Sequence, residues 1–289
     1  MTPLVEVKNL NYVYSAGTPF KMDAIKDLSF TINRGETVGI IGHTGSGKST
    51  LVQHLNGLLR PTSGSVLVNG ADIWEKPKEI RKIRFIIGLV FQYPEYQLFD
   101  ETVASDIGFG PRNMGLSEQE TAERVKEMAG LVGLSEELLQ KSPFEISGGE
   151  KRRAAIAGVL AMHPECVVLD EPTAGLDPNG RALILERIRQ YKEQHDATVI
   201  MVSHSMEDIA AMCDRVMVLS GGTIAKFGTV AEVYGNSEML KSIGLNVPAV
   251  TQIAARLRER GLPVDTEVFT MQDAVKAILA ARKGDGRHA

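Results

Sequence analysis

Short apolar segments alternate with segments of helical periodicity along most of the chain. The segments 36–42 (ETVGIIG), Cys166–Leu169 and Thr198–Val202 are continuously apolar or nearly so, which is typical of buried strands. After the first of them, apolar side chains at Leu51, Val52 and Leu55 share one helical face. Strands that alternate with helices in this way predict an α/β core. The other predicted strands are Leu4–Val7, Leu28–Ile32, Ser65–Asn69, Arg84–Gln92, Val216–Leu219 and Thr223–Phe227, and the other predicted helices of this region are Arg181–Gln194 and Met206–Cys213.

A helical stretch interrupts the alternation from about Asp100 to Met162. Within it, Ser117 and Glu120 have the spacing of a capping box, in which the two side chains satisfy free N–H groups at the start of a helix. A second helix is predicted to follow Ser147 and to end near Met162. Because strands resume after this stretch, we predict a helical subdomain inserted at about residues 100–162.

The last part of the chain has a different pattern. Two amphipathic helices are predicted after Gly244, the first with a stop at Gly261 and the second with Thr270 as its N-cap. We therefore predict a domain over residues 1–240 and a helical extension over residues 241–289. The apolar positions predicted to share a face are Val250, Ile253 and Leu257 in the first helix, and Met271, Ala274, Val275, Ile278 and Leu279 in the second.

Composition narrows the class of protein. The 289 residues carry a net charge of −4, are 43% hydrophobic, and show no basic excess that would indicate a nucleic-acid partner. The longest apolar stretch, Ala154–Met162, is much shorter than the roughly 20 residues of a membrane-spanning helix, and the N-terminal segment MTPLVEVKNL does not resemble a secretory signal. Cys166 and Cys213 lack metal-like spacing and predict buried free thiols in a reducing compartment. These features predict a soluble, intracellular protein.

The first candidate functional residues lie in segment 42–49, which begins where the predicted strand at 36–42 ends. It fits the phosphate-loop pattern G-x-x-x-x-G-K-[ST], in which glycines let backbone N–H groups surround an anion and the following helix directs its positive dipole end toward the phosphates. The lysine supplies a charge for the β- and γ-phosphates, and the hydroxyl after it is a ligand for Mg²⁺. We therefore predict a nucleotide and Mg²⁺ as ligands, and the family resemblance described below implies that the nucleotide is ATP. The predicted nucleotide-binding residues here are Gly42, His43, Thr44, Gly45, Ser46, Gly47, Lys48, Ser49 and Thr50.

Two adjacent acids, Asp170 and Glu171, end the predicted strand that begins at Cys166. Side chains alternate along a strand, so both acids can face one site only if the chain turns between them. One carboxylate could then hold the metal while the other polarises the attacking water. An acidic strand end that merely starts a loop is the alternative, which the phosphate loop makes less attractive.

The segment Glu145–Arg153 (EISGGEKRR) resembles the ABC signature, usually LSGGQ. Around it, Tyr14 resembles the adenine-stacking aromatic, Gln92 the Q-loop glutamine and His204 the switch histidine, and the AGLD sequence ending at Asp177 resembles the D-loop. The resemblance implies a P-loop ATPase of the ABC type: a RecA-like core sheet, an N-terminal antiparallel β subdomain and a helical signature subdomain, with a C-terminal helical extension.

The ABC resemblance also implies roles for these residues. Two subunits would form a head-to-tail dimer, with each nucleotide between the phosphate loop of one and the signature of the other. Glu171 would be the general base or position the water, His204 would contact the γ-phosphate, and Gln92 would sense metal and γ-phosphate. The metal would be held by Ser49, Gln92 and Asp170, and the partner's nucleotide by Ser147, Gly148, Gly149, Glu150 and Asp177.

Several assignments leave alternatives open. Tyr12 competes with Tyr14 for the adenine stack, and Asp177 could simply cap the turn before Pro178. The signature departs from the usual sequence at Ile146 and Glu150. The Glu150 carboxylate could face the γ-phosphate and repel it.

A closer resemblance is to the ATP-binding subunits of energy-coupling factor transporters, of the second or A-prime type. It is carried by segments 12–20 (YVYSAGTPF), 42–44 (GHT), 91–99 (FQYPEYQLF) and 152–162 (RRAAIAGVLAM). It implies micronutrient uptake, such as that of vitamins, with membrane T and S components and a second ATPase as partners. The subunit would be peripheral on the cytoplasmic face of the cell membrane, and its tail would help to hold the ATPase pair together. A related heterodimer partner is implied, with a homodimer as the alternative.

Segment 91–99 is the candidate docking segment for a membrane partner, because its aromatic and apolar residues around Pro94 could form a groove for a helix. The alternative is that Phe91, Tyr96, Leu98 and Phe99 are ordinary core. Two other functions remain as alternatives: the ATPase of a cobalt or nickel importer, and a soluble ABC ATPase that acts on nucleic acid or ribosomes.

Overall fold

The computed structural model describes residues 3–285, with side chains through residue 282. The strands are β1 (Val5–Tyr14), β2 (Met22–Ile32), β3 (Thr37–Ile41), β4 (Ser63–Val68), β5 (Ala71–Asp72), β6 (Ile87–Val90), β7 (Cys166–Asp170), β8 (Thr198–Val202), β9 (Arg215–Ser220) and β10 (Thr223–Thr229). The helices are α1 (Lys48–Leu55), α2 (Ile80–Ile86), α3 (Val103–Met114), α4 (Glu118–Val132), α5 (Glu136–Leu139), α6 (Gly148–Leu160), α7 (Pro178–His195), α8 (Met206–Met212), α9 (Val230–Tyr234), α10 (Ser237–Ser242), α11 (Ala249–Glu259) and α12 (Met271–Asp285).

Two sheets organise the first 230 residues. A six-stranded sheet has the order β10-β9-β3-β8-β7-β6 and is parallel except for β10, which pairs with β9 as an antiparallel hairpin. Every residue of β3, β7 and β8 is buried, which explains why these strands are continuously apolar in sequence. The second sheet is antiparallel, with the order β2-β1-β4-β5. A shared core joins both sheets around α1, so the predicted α/β class with an N-terminal antiparallel subdomain is confirmed.

The helices α3 to α6 lie in the chain between β6 and β7 and pack on one another through α3, α4 and α6. The predicted capping box at Ser117 and Glu120 is present at the start of α4. A second box, between Ser147 and Glu150, starts α6. Each satisfies helix N–H groups that would otherwise lack partners, and this fixes the two helix starts.

The structure corrects two strand predictions. Arg84–Ile86 belongs to α2 instead of a strand, because Ile80, Ile83 and Ile86 recur every third residue and pack together against the core. Strand β1 is longer than predicted, since Asn9 adopts φ +45° within it and the strand register shifts there. Such an irregularity hides the strand from a simple test of alternation.

The tail forms a separate small core between α11 and α12, through residues such as Ala254, Ala274 and Ala281. The predicted apolar face of α12 is therefore wrong in part. Small alanines face α11, whereas the larger side chains Met271, Val275, Ile278 and Leu279 are 38–68% exposed. Ile253 of α11 is also exposed. Alanines allow close helix contact, which leaves an apolar stripe on the outer side of the tail.

Both cysteines are buried free thiols, as predicted. Among residues 3–285, no helix combines the length and apolar character needed to cross a bilayer.

Candidate nucleotide-binding site

The candidate site lies where parallel strands end. Strands β3, β8, β7 and β6 are neighbours, and the segments after their carboxyl ends carry Gly42, His204, Glu171 and Gln92 respectively. Ligand sites in open α/β sheets form at this edge. The segments enclose a pocket of about 320 Å³ lined by Thr44, Gly45, Gly47, Lys48, Ser49, Thr50, Gln92, Asp170, Glu171 and His204. The predicted phosphate-loop and catalytic residues are thus brought together.

Close backbone packing explains the glycines of the loop. Gly47, just before α1, has φ +103°, and a Cβ there would lie 2.7 Å from the carbonyl oxygen of Ala24. A Cβ on Gly42 would lie 2.5 Å from Ser46 Oγ. Neither position tolerates a side chain without movement of the loop. The start of α1 is thereby held at the pocket, with its free N–H groups available to an anion.

Lys48 is buried at the base of this pocket. Its ammonium group donates hydrogen bonds to the carbonyl oxygens of Gly42, at 2.7 Å, and His43, at 3.0 Å. Burial lowers the pKa of Lys48, while the charges of Glu171 and Asp170 act in the opposite direction. The side chain is therefore fixed by the loop itself before any phosphate binds.

A sharp turn lets both acids face the pocket. Asp170 is the last residue of β7, and Glu171 adopts φ +53°, with its N–H donating to the carbonyl oxygen of Val202 at 3.0 Å. Burial raises the pKa of Asp170, whereas the Ser49 hydroxyl and the Lys48 charge lower it. The Ser49 hydroxyl and the Asp170 carboxylate together supply the oxygen ligands that Mg²⁺ prefers.

Glu171 has the electrostatics of a proton acceptor. Burial, and then the charge of Asp170, raise the pKa of Glu171 to about 7. Its Oε1 atom is buried without a hydrogen-bond partner and lies 3.6 Å from Nε2 of His204. Burial and the Lys48 charge lower the pKa of His204, which favours the neutral ring. A carboxyl group that titrates near neutrality and has a free oxygen is suited to activating water.

The two candidate aromatics have different surroundings. The Tyr14 hydroxyl shares a hydrogen bond of 3.2 Å with Thr50 Oγ1, and the ring is partly exposed beside the phosphate loop. Tyr12 packs edge-on against His54, with 4.7 Å between ring centroids, and joins the core between the sheets. These surroundings favour Tyr14 for the adenine stack, which stays a prediction.

The signature residues lie apart from this pocket. Ser147 caps α6, and Ser147 and Gly148 are exposed, but none of residues 147–150 lines the phosphate pocket of the same chain. The Glu150 carboxylate accepts from both the N–H and the hydroxyl of Ser147 at 2.7 Å, and these bonds lower the pKa of Glu150. The ionised carboxylate thus bonds within its own helix turn.

Asp177 caps α7 by accepting from the N–H of Gly180 at 2.6 Å, and it is exposed. The capping role is therefore real. The interface role predicted for Asp177 is compatible with that exposure and stays a prediction.

Sequence reasoning missed a buried arginine that connects three motifs. Arg152 of α6 donates to both carboxylate oxygens of Glu95, at 3.0 and 2.9 Å, and to the carbonyl oxygen of Ala174 at 2.5 Å. Its guanidinium also lies 5.7 Å from the ring centroid of Tyr93. The signal was present in the sequence, because Arg152 precedes Ile156 and Leu160 on the same buried helical stripe.

A second missed network centres on Asp208 of α8, which is 4% exposed. Its carboxylate accepts from Thr173 at 3.0 Å and from Arg181 at 2.7 Å. Arg181 also donates to the hydroxyl of Ser205. The network therefore ties the segment after Glu171 to the segment after His204. Asp208 has the S-x-x-D spacing of a helix cap with Ser205, but that spacing does not indicate the partners Thr173 and Arg181.

The docking segment forms one wall of a separate groove of about 480 Å³, shared with α2, α3 and α6. Tyr96 is 85% exposed and Phe99 63% exposed, so the alternative that these two residues belong to the core is wrong. Phe91 and Leu98 do pack partly against the core clusters.

The fold and this site define an ABC-type ATPase, and the ABC transporter family model matches residues 25–174. A protein of Caldanaerobacter subterraneus named energy-coupling factor transporter ATP-binding protein EcfA2 is 52% identical over 280 residues, which cover 97% of this chain and 98% of the relative. An EcfA2 of Clostridium perfringens is 52% identical over 276 residues, covering 95% and 97%. The chain belongs to the family of energy-coupling factor transporter ATP-binding proteins.

Solved structures agree with this assignment. The chain resembles cbiO1 of Clostridium perfringens, described as part of the ABC transporter complex cbiONQ, with 38% identity and a TM-score of 0.75 over 90% of this chain and 98% of the other. A dimeric ATP-binding cassette in a post-hydrolysis state with ADP and Pi matches with 29% identity and a TM-score of 0.70, covering 78% of this chain and 98% of that structure.

Proposed function

We propose that this chain is the ATP-binding component of an energy-coupling factor transporter, of the second or A-prime type, and that ATP binding and hydrolysis drive the uptake of a micronutrient. The observation that carries the proposal is the pocket at the strand ends, which combines the phosphate loop with Asp170, Glu171 and His204. The family assignment supports it.

The surroundings of each residue support specific roles in hydrolysis. Lys48 and the N–H groups of the loop bind the β- and γ-phosphates, and Tyr14 stacks on the adenine. Ser49, Asp170 and Gln92 hold Mg²⁺, which when bound shields the phosphate charge. Glu171 accepts a proton from the attacking water through its free Oε1, and His204, whose Nε2 lies 3.6 Å from that same oxygen, contacts the γ-phosphate.

Two incomplete surfaces on one chain support the proposed dimer. The phosphate pocket lacks the signature residues, whereas the capped N-terminus of α6 is exposed with no phosphate loop beside it. In a head-to-tail pair, Ser147, Gly148, Gly149 and Glu150 of one subunit meet the nucleotide on the other, with Asp177 at the contact. The relation to a dimeric cassette supports this pairing. The partner is a related ATPase or a second copy, and the extension at 241–289 contributes to holding the pair.

The groove beside the docking segment is the proposed contact with a membrane T component, to which S components deliver the transported compound. Its exposed aromatics would receive a helix of the partner, and the subunit would lie on the cytoplasmic face of the cell membrane. The likeness to a cbiONQ component keeps import of cobalt or nickel as the second candidate.

A charge placed on the docking segment tests the coupling. Tyr96→Asp or Leu98→Asp, in the complex assembled with its membrane subunits, should abolish uptake and leave ATP binding unchanged, because neither residue lines the phosphate pocket. Phe20→Asp is the matched control, since Phe20 is 84% exposed but lies outside both the docking segment and the groove. Normal uptake by the Tyr96 variant, or loss of its ATP binding, would refute the proposed docking site.

A further inference from the structure

A cluster of metal-ligand side chains lies outside the nucleotide site, where the helical subdomain meets the core. Glu127 comes from α4, His163 from the turn after α6, and His195 is the last residue of α7. Their ligand atoms all lie within 4.8 Å of one another. Neither the family's function nor the proposed catalytic steps use any of the three.

The distances suit a tetrahedral ion. Nε2 of His163 lies 3.0 Å from one carboxylate oxygen of Glu127, and Nε2 of His195 lies 3.5 Å from the other. Zinc binds imidazole nitrogen and carboxylate oxygen at about 2.0–2.2 Å, which places neighbouring ligand atoms of a tetrahedron about 3.3–3.5 Å apart. The two distances end on different oxygens of Glu127, so only one of them can be an edge of a tetrahedron in which the carboxylate binds through a single oxygen. The three ligand atoms, all within 4.8 Å of one another, would draw together by up to about 1.5 Å when the ion binds.

The two imidazole nitrogens face only the Glu127 carboxylate. Both Nε2 atoms are buried from solvent, and neither has a well-formed hydrogen bond with the rest of the protein. Buried polar atoms of this kind are rare unless a proton, a water or an ion satisfies them. Burial and the charge of Arg124 lower the pKa of His163, while the Glu127 carboxylate acts in the opposite direction.

Surrounding contacts hold the rings in place. The Tyr191 ring stacks on His195 with 4.5 Å between centroids, and the two imidazoles are 4.4 Å apart. His163 adopts φ +49°, and its N–H donates to the carbonyl oxygen of Leu160 at 2.8 Å. These contacts around the ligands favour metal binding, because the two imidazole rings are already held near their bound positions and lose little conformational freedom when an ion binds.

One nearby charge opposes a cation. Arg124 lies one turn before Glu127 on α4, and its guanidinium donates to the carbonyl oxygen of Ala161 at 3.4 Å. Its charge reduces the affinity for a metal, but it also disfavours imidazolium, which is the form that cannot bind one. Glu127 supplies the compensating negative charge, and its side chain is 45% exposed, which gives an ion a route to the site.

We propose that Glu127, His163 and His195 form a binding site for a divalent transition-metal ion such as Zn²⁺, which clamps α4 of the helical subdomain to α7 of the core. Two histidines and a carboxylate form a ligand set used for zinc, with a water in the fourth position.

The test uses the full-length chain without an affinity tag, stripped with EDTA and titrated with Co²⁺ in excess Mg²⁺, so that the nucleotide site is masked. We expect one Co²⁺ per chain with the intense visible bands of tetrahedral coordination. Saturating Zn²⁺ should raise the melting temperature by about 5 °C. His195→Gln and, separately, His163→Asn should each weaken Co²⁺ binding at least tenfold. Asparagine tolerates the positive φ at residue 163, so this second variant keeps the backbone.

Glu123→Gln is the matched control, because Glu123 lies one turn earlier on α4 and outside the cluster. It should bind Co²⁺ like the unaltered protein. The proposal is overturned if the stripped protein takes up no Co²⁺, if the bands are the weak ones of octahedral coordination, or if both histidine variants bind as tightly as the control.

Discussion

Arg152 offers the sharpest test of how the motifs are connected. Its side chain is 3% exposed and makes two charge-assisted hydrogen bonds to Glu95 and one to the carbonyl oxygen of Ala174. Replacing it by methionine keeps much of the volume but leaves the Glu95 carboxylate and the Ala174 carbonyl without their partner. We expect Arg152→Met to destabilise the protein strongly.

The magnitude follows from burial. Breaking a buried ion pair by removing one partner costs about 3–5 kcal/mol, because the other charge remains desolvated. Glu95 is 18% exposed, so water recovers part of that cost, and we expect about 3 kcal/mol for Arg152→Met. Glu95→Gln should cost less, about 2 kcal/mol, since the amide oxygen still accepts one bond. The double variant should cost less than the sum, by a coupling energy of about 1–2 kcal/mol.

Urea denaturation followed by circular dichroism gives the free energy of unfolding of the four proteins of this double-mutant cycle: the unaltered protein, the two single variants and the double variant. Lys151→Met is the control on the same helix, because Lys151 is half-buried and makes no ion pair with Glu95, and it should change stability by about 0.5 kcal/mol or less. ATP binding by the isolated chain should survive Arg152→Met, whereas turnover in the assembled transporter should fall. A cost below 1 kcal/mol, or costs that add without coupling, would refute the reasoning.

Four further predictions concern the phosphate pocket and the signature. The pKa of Glu171 is raised to about 7, so at higher pH the unfolded chain ionises this group more readily than the folded protein does, and stability is lost. Glu171→Gln should therefore raise the free energy of unfolding of the nucleotide-free chain by about 1–2 kcal/mol at pH 8, and the gain should shrink toward pH 5. A difference that does not change with pH would contradict this sign. The same variant should nearly abolish phosphate release while ATP-bound dimers accumulate in gel filtration. Glu150→Gln should change turnover less than tenfold, because glutamine preserves the capping box with Ser147, and a hundredfold change would show a direct role for the carboxylate. Gly47→Ala should abolish binding of a fluorescent ATP analogue, since the added Cβ meets the carbonyl oxygen of Ala24, and unchanged affinity would show that the loop is softer than the structure indicates.

Local chemistry explains which parts of the fold were predictable. Strands β3, β7 and β8 are buried on both faces, so their apolar runs identify them directly. The phosphate loop is equally readable, because anion binding requires particular residues at fixed spacing. The turn between Asp170 and Glu171 was also predictable, because adjacent strand residues can face one site only if the chain turns between them. The positive φ of Glu171 produces that turn.

What sequence reasoning missed depends on contacts between distant segments. The partners of Arg152 and Asp208 lie 57 and 35 residues away, at Glu95 and Thr173, and no local pattern records such pairs. The face of α12 was misassigned for a related reason. Hydrophobicity favours burying Ile278 and Leu279, but the close approach of α11 selects the alanines instead.

These long-range contacts suggest how one chain can transmit a signal from a membrane partner to the reacting phosphate. Glu95 belongs to the docking segment, Arg152 to the signature helix, and Ala174 to the segment between Glu171 and Asp177, and the guanidinium bonds both of the others. A shift of the docking segment by even 1 Å would therefore stretch bonds that also position the signature helix and the segment after Glu171. Because buried charge pairs tolerate little separation, the docking segment, the signature helix and the segment after Glu171 should move together. Coupling would then depend on the buried Arg152 side chain as well as on the surface groove.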